Sequence, residues 1–270
     1  MKIHAGTSGY GYKEWKGVFY PEKLPASEML GFYSQRLSTV EINYTFYHMP
    51  TERVLATWAE QVPADFAFVL KAPQVITHRK RLHNVDEECT YFFRTLAALG
   101  RKMGPVLFQF PASFHLNRPL LEGFLTLIPE NIHAAFEFRS PSWFGPEILE
   151  MLGAKDCSLC IADSDEQPAA GIIGTASWGY LRLRRADYTE ADLAAWQEKI
   201  LAQKWQQAYV FFKHEDKAKG PEMAMHFHEL AGLKRTAPEM KVNAPAKQTA
   251  GVQPAATMRP HGHKGISAKT

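Results

Sequence analysis

Several short apolar runs in this 270-residue chain finish on a side chain that can carry a proton or grip an anion. Glu41 and Asn43 alternate with Val40 and Ile42, Lys71 follows "FAFVL", Gln109 closes "PVLFQ", and Glu137 and Arg139 close "HAAFEFR". Asp163 ends "CSLCIAD", Arg182 stands inside "YLRLR", Lys213 and His214 end "AYVFFKH", and Ser8 and Tyr10 follow the first run. Carboxylates set against cations are the material of general acid–base chemistry. Glu41 or Glu137 would be the base and the other the acid, with Asp163 the third carboxylate. Lys71 would act as electrophile, proton shuttle or, if buried, imine-forming amine. Arg139 and Arg182 can clamp an anionic group, while Asn43 and Gln109 orient hydroxyls. The bland alternative is that these groups form ion pairs between neighbouring strands.

Other clusters carry less chemistry. The segment "THRKRLHN" from Thr77 gathers His78, Arg79, Lys80, Arg81 and His83, either as a solvated basic loop or as a lid that grips phosphate or carboxylate. Tyr10, Tyr12, Trp15, Phe19, Tyr20, Tyr44, Phe46 and Tyr47 form either a small core or a stacking wall for a sugar or base. Cys157 and Cys160 are three apart in a strand-like run, which sends them to opposite faces and disfavours a redox or zinc site. No HExxH, Walker loop or GxSxG is present. A divalent metal held by Glu41, Glu137, Asp163 and a histidine such as His78 or His214 would need carboxylates of separate strands to converge.

The elements that must position these groups alternate. Eight β-type runs begin near Lys2, Thr39, Phe66, Pro105, His133, Cys157, Tyr180 and Ala208. Helical patterns lie at about 29–37, 51–61, 86–103, 118–128, 145–152, 190–204 and 221–231. Thr189-Glu190 and Pro221-Glu222 open helices with a cap and an early acid, and Gly104-Pro105 ends one. Eight strands alternating with helices predict a (β/α)8 barrel of the TIM type over residues 1–232. In such a barrel, polar side chains at strand ends converge on the carboxyl-end mouth. The glycines of "GTSGYGY" from Gly6 do not have dinucleotide-binding spacing.

Charge and cysteine usage bound the setting. The net charge of +3 divides into +6 on residues 233–270, with seven Lys or Arg and one acid, and −3 on residues 1–232. The Ala-, Pro- and Lys-rich segment 233–270 has few large apolar residues and is expected to be a disordered basic tail, able to touch nucleic acid or other polyanions. Three cysteines give no disulfide framework, no apolar stretch is long enough to span a bilayer, and the amino terminus lacks a signal-peptide core. A cytoplasmic location is expected, with no membrane partner.

The motifs "GTSGYGYKEWKGVFYP" from Gly6, "FYSQRLSTVEINYTFYHMP" from Phe32, "FVLKAPQVITH", "LFQFP", "FEFRSPSW", "YLRLRRADY" and "FFKHED" resemble the YecE-like family, domain of unknown function 72. The resemblance spans about residues 3–231 and implies a TIM-type barrel of uncharacterised activity. Its pattern is matched at Ser8, Tyr10, Trp15, Glu41, Asn43, Thr45, Tyr47, Lys71, Gln109, Pro111, Glu137, Arg139, Trp143, Asp163 and Arg182, which adds Tyr47 and Trp143 to the binding set. The chain departs from the pattern at Arg184-Arg185 and at Lys213-His214-Glu215-Asp216, which add charge to the mouth.

Three functions follow as expectations. The first is an enzyme (a hydrolase, lyase or isomerase) acting on a small phosphorylated or carboxylated polyol. The second is a nucleic-acid-directed phosphodiester hydrolase or DNA-binding barrel, favoured by the basic loop 78–83 and the tail and opposed by the −3 of residues 1–232. The third is a non-catalytic binding or regulatory barrel.

Overall fold

The computed structural model describes residues 1–213 and 218–232. Eight parallel strands close on themselves in chain order. They are β1 (Lys2–Ser8), β2 (Thr39–Ile42), β3 (Ala67–Lys71), β4 (Met103–Gln109), β5 (Ala134–Glu137), β6 (Ser158–Asp163), β7 (Trp178–Leu183) and β8 (Gln207–Phe212). Closure is made by β1 on β8, where Lys2 to Thr7 run beside Gln207 to Phe212. The helices are α1 (Met29–Ser34), α2 (Tyr44–Tyr47), α3 (Glu52–Glu60), α4 (Asp86–Leu96), α5 (Arg118–Leu127), α6 (Pro146–Gly153), α7 (Glu190–Leu201) and α8 (Lys219–Leu230). The expected (β/α)8 barrel is present. The tail expected over 233–270 lies outside the described residues, as does His214.

Each strand divides its side chains between two cores by period-two alternation. Outward residues such as Val40, Phe68, Phe108, Phe136, Leu181 and Phe212 meet the helices in one large apolar layer. Inward residues Ala67, Val69, Leu107, Ala135, Cys160, Trp178, Tyr180, Tyr209 and Phe211 fill the barrel itself. The inner set runs out where the polar strand ends begin, so the apolar packing forms a floor beneath them. Cys157 and Cys160 are buried on the two different sides of this wall as free thiols.

Local rules account for the helix boundaries. Thr189 accepts from the Asp192 amide while the Asp192 carboxylate accepts from the Thr189 amide, a capping box that starts α7. Asn117 caps α5 through Leu120 N, with Pro119 in the first turn. The helical pattern expected over 86–103 breaks earlier. A 3-10 stretch (Ala97–Lys102) follows α4, and Gly100 takes φ +53, a conformation few other residues adopt, before β4 starts. The elements not anticipated include the single turn α2 directly after β2 and a π-helical turn (Val75–Arg79) after β3. Among the described residues no helix is long and apolar enough to cross a membrane.

Candidate functional site

The inward alternation of β2, β3, β4, β5 and β7 delivers Glu41, Lys71, Gln109, Glu137 and Arg182 to one buried cluster at the carboxyl ends of the strands. Arg182 lies between two carboxylates. Its Nη2 donates to Glu41 Oε1 at 2.9 Å and its Nη1 to Glu137 Oε2 at 2.7 Å. Both carboxylates have further donors. Tyr180 Oη donates to Glu41 Oε2 at 2.7 Å and Asn43 Nδ2 to Glu41 Oε1 at 3.3 Å. Gln109 Nε2 donates to Glu137 Oε1 at 2.7 Å. Glu41 and Arg182 bracket the barrel axis from sequence positions 141 apart, so only the closed barrel brings them together.

The electrostatic consequence follows from burial and charge acting in opposite directions. Burial raises the Glu137 pKa, but Arg182 and Arg184 outweigh it and hold the carboxyl at about 2. Burial likewise opposes ionisation of Glu41, and Arg182, Tyr180 and Ser8 again prevail, leaving its pKa lowered. Both groups are therefore carboxylates at neutral pH. Arg182 is held in its charged form by the two of them.

Lys71 has a different environment. Its Nζ donates to Gln109 Oε1 at 2.6 Å and sits 4.0 Å over the Phe46 ring. Burial first, then the neighbouring Arg182, lower its pKa to about 8 against the pull of Glu41 and Glu137. The end of β3 is fixed by Thr45, the buried residue of α2, whose hydroxyl donates to the Lys71 carbonyl at 2.7 Å. The short turn α2 thus supplies both Thr45 beneath Lys71 and Phe46 against its ammonium. The π-helical turn supplies His78, which meets Phe46 edge-on at 4.8 Å and shares a 2.9 Å hydrogen bond between Nδ1 and Thr77 Oγ1. Burial, with Lys71, Arg139 and Arg81 nearby, lowers the His78 pKa to about 4, so the imidazole is neutral at pH 7.

Around this cluster two arginines keep looser contacts. Arg139 Nε is 3.5 Å and Arg184 Nη2 3.9 Å from Glu137 Oε1. The Arg139 side chain is 41% exposed, so it reaches solvent at the rim. Lys213 is exposed after the end of β8, Tyr47 is exposed at the last position of α2, and Ser8 is buried on the inner side of β1.

Other expected site residues lie elsewhere. Asp163 shares its face of β6 with Leu159 and Ile161, which belong to the outer apolar layer. Its carboxylate accepts from Arg185 Nε at 3.0 Å, Tyr188 Oη at 2.8 Å and the Ala169 amide at 2.8 Å. It anchors the segments before and after β7 and lies apart from the cluster of Glu41, Lys71, Gln109, Glu137 and Arg182. Trp143 is buried, stacked on Phe138 at 4.5 Å, with its indole N–H donated to Phe114 O at 2.7 Å. It is packed inside the core, although the family resemblance places it in the binding set. Tyr10 packs at 6.3 Å from Tyr33, at the edge of the aromatic cluster that also holds Trp15, Phe19 and Tyr20. Tyr10, Tyr12, Trp15, Phe19 and Tyr20 pack into a core, the first of the two readings, whereas Tyr44 and Tyr47 are exposed and Phe46 lies against Lys71. In the basic segment, Lys80 pairs with Glu88 at 2.6 Å and Arg81 donates to Ser113 at 3.2 Å.

Of the residues at the site, Tyr180 is the one the sequence did not single out, while Phe46 stood only among the early aromatics and Arg184 only among the charges added to the mouth. Tyr180 and Arg184 carry the same inward alternation as Arg182, a signal that was present. Phe46 depends on α2, which its four-residue pattern did not announce. A convergent metal set is not formed: among the described residues no three His, Cys, Asp or Glu side chains are grouped to hold an ion. The Glu41 hydrogen bond can be weighed directly. Tyr180→Phe leaves a buried carboxylate oxygen short of a donor and is expected to lower stability by about 1–3 kcal/mol. Urea unfolding reads this, and a change below about 0.5 kcal/mol would mean that Glu41 takes its support elsewhere.

Comparison with known proteins agrees with this architecture. The profile of the family described as "Protein of unknown function DUF72" matches residues 4–249. The UPF0759 protein YecE of Escherichia coli K12 is 33% identical over 113 residues, 42% of each chain. The UPF0759 protein YunF of Bacillus subtilis is 29% identical over 157 residues, 55% of this chain and 54% of that one. The chain thus spans about half or less of the length of the curated relatives it matches. Among solved structures, a DUF72 family protein from Thermotoga maritima superposes with a TM-score of 0.75 at 28% identity, covering 86% of this chain and all of that one. One from Enterococcus faecalis gives 0.74 at 19% identity over 89% of this chain and 100% of that one, a likeness of fold.

Proposed function

The chain belongs to the DUF72 family, and we propose that its barrel mouth binds a small anionic polyol, of the sugar-phosphate kind, and performs acid–base chemistry on it through Lys71. The observation that carries this reading is how the charges are committed. Arg182 uses both terminal nitrogens on Glu41 and Glu137, at 2.9 and 2.7 Å, so neither carboxylate is a spare base and Arg182 is not a spare clamp. What is left over is positive: Lys71, with one donor given to Gln109, and Arg139 and Arg184, at 3.5 and 3.9 Å from Glu137. Four cations face two carboxylates, which favours an anionic guest.

The roles expected for the carboxylates change with this geometry. Two glutamates held ionised cannot serve as a proton donor and acceptor pair near pH 7. They instead fix Arg182 and, through Gln109, steady Lys71. Lys71, with a pKa of about 8, is the group that exchanges a proton in the working range. Neutral His78 and the Asn43 amide are the nearby groups suited to hydroxyls.

A thermal-shift panel on the full chain tests the reading, with sugar phosphates, hydroxy acids, nucleotides, a short oligonucleotide, neutral polyols and divalent metals. A ligand at a hundred times its Kd adds about 2.7 kcal/mol. That corresponds to a rise of roughly 5–10 °C for a domain of this size. A rise with anionic polyols that Arg139→Gln and Arg184→Gln reduce is expected. A response to oligonucleotide alone would transfer the argument to nucleic acid, and a response to neutral polyols equal to that of their phosphates would overturn the anion site.

A further inference from the structure

We propose that Lys71 is a nucleophile that forms an imine with an aldehyde or ketone bearing an anionic group, an inference that rests on the anion-binding reading of the mouth. A lysine kept only to neutralise charge would sit against a carboxylate. Among the described residues Lys71 makes no ion pair, although two carboxylates lie in the same cluster. Arg182 occupies both, and the Gln109 amide stands between Lys71 and Glu137, accepting from Nζ at 2.6 Å and donating to Oε1 at 2.7 Å.

That insertion has a chemical consequence. An amide oxygen accepts from an ammonium and, more weakly, from a neutral amine, so the Lys71–Gln109 hydrogen bond outlasts loss of the proton, whereas a carboxylate partner would hold the proton in place. Lys71 is 9% exposed, on the inner side of the mouth, with the Phe46 ring 4.0 Å from Nζ. Its neighbour Arg182 adds a fixed positive charge that the amine escapes by deprotonating. The lowered pKa of about 8 agrees with this geometry and leaves a large share of neutral amine at mildly alkaline pH. Arg139 and Arg184, loosely held near Glu137, are placed to retain the anionic end of the same molecule.

The step balances without a further reactant. The Lys71 nitrogen lone pair forms the C–N bond as the carbonyl π pair moves onto oxygen, giving a carbinolamine. That oxygen then leaves as water with both hydrogens of the former neutral amine, and the nitrogen pair completes C=N. No oxidant or reductant takes part.

Borohydride trapping tests the proposal. The full chain is incubated with glycolaldehyde phosphate near pH 8, reduced with sodium borohydride, digested and mapped by mass spectrometry. The peptide holding Lys71 is expected to gain the mass of the carbonyl compound less one oxygen atom. An amine of pKa about 8 has about a hundredfold more neutral form than an ordinary lysine at that pH, so Lys71 should be labelled well ahead of exposed lysines. Glycolaldehyde without the phosphate should label it less, inorganic phosphate should compete, and Lys71→Arg should lose the label. If Lys71 gains no mass, or gains it no faster than exposed lysines, while phosphate still raises the unfolding midpoint, the imine is refuted and the anion site stands. If neither labelling nor a phosphate response occurs, both readings fail together.

Discussion

Arg182→Met is expected to lower the stability of the barrel by about 3–5 kcal/mol at pH 7, a fall of roughly 10–15 °C in the unfolding midpoint. The size comes from what is left behind. Glu41 and Glu137 are 0% and 2% exposed, and the substitution removes the one cation bonded to both. The direction of the pH dependence gives a sharper reading than the size. In the parent, Glu137 has a folded pKa of about 2, below its usual value of 4.5. Its contribution to stability is present above pH 4.5 and is lost as pH falls through 2, because the unfolded chain takes up the proton first. Without Arg182, burial dominates, and both folded pKa values rise above the unfolded ones. The variant then loses stability as pH rises from about 4.5 to 7, where the parent gains or holds it. Urea unfolding across that range reads both slopes. Parallel slopes, or a loss under about 1 kcal/mol, would mean that water already shares the two carboxylates. Adding Glu41→Gln and Glu137→Gln to Arg182→Met should restore part of the lost stability.

Lys71→Met is expected to act in the opposite sense, making the fold more stable at pH 7 while removing the response to anionic ligands. Lys71 has a folded pKa of about 8 against its usual 10.5. Below pH 8 the amine is charged in both states, and the folded state bears the cost of holding it. Between 8 and 10.5 the unfolded chain binds the proton and the folded chain does not, so parent stability rises with pH through that window. The gain from Lys71→Met is therefore full below pH 8, about 3 kcal/mol as an upper figure, and vanishes by about 10.5. Only the difference between the two proteins isolates Lys71, because buried tyrosines such as Tyr180 have raised pKa values and resist ionisation in the upper part of the window. Paired urea titrations at pH 7 and pH 10 measure it. A variant less stable than the parent at pH 7 would make Lys71 a structural residue. A residue that weakens the fold and yet recruits the ligand is the pattern of a functional site.

Much of this is legible in the sequence, for a definite reason. A parallel barrel covers both faces of each strand, so apolar residues fill both registers and a polar residue stands out only where the strand opens on the mouth. Glu41, Lys71, Gln109, Glu137 and Arg182 all stand out in this way, and alternation places each on the inner face. Asp163 stands out just as clearly and faces the other way. It stands three positions after inward Cys160, an odd spacing that reverses the face, and this parity is readable in "CIAD". Trp143 sits in a conspicuous motif, but a tryptophan's need for one hydrogen bond is met by Phe114 O inside the core.

The commitment of the charges was out of reach of sequence. Alternation says that Glu41, Glu137 and Arg182 point inward, and it says nothing of which pairs with which across the barrel. Had Arg182 bonded one glutamate, the other would be the natural base. It bonds both, at 2.9 and 2.7 Å, and on the proposed reading the role of base then falls to Lys71. The turns that complete the site are short, and the single turn α2 and the π-helical turn at Val75–Arg79 have no periodicity long enough to recognise.

The central claim is that Lys71 is a proton-exchanging cation in an anion-binding mouth, and its titration tests that most directly. With lysines labelled at the ε-carbon and the Lys71 resonance assigned by its loss in Lys71→Arg, NMR follows each amine from roughly pH 6 to 11, with and without inorganic phosphate. The account predicts that one resonance titrates near 8, apart from the others, and moves upward when phosphate is bound. A Lys71 that titrates with the exposed lysines near about 10.4 and ignores phosphate would contradict it.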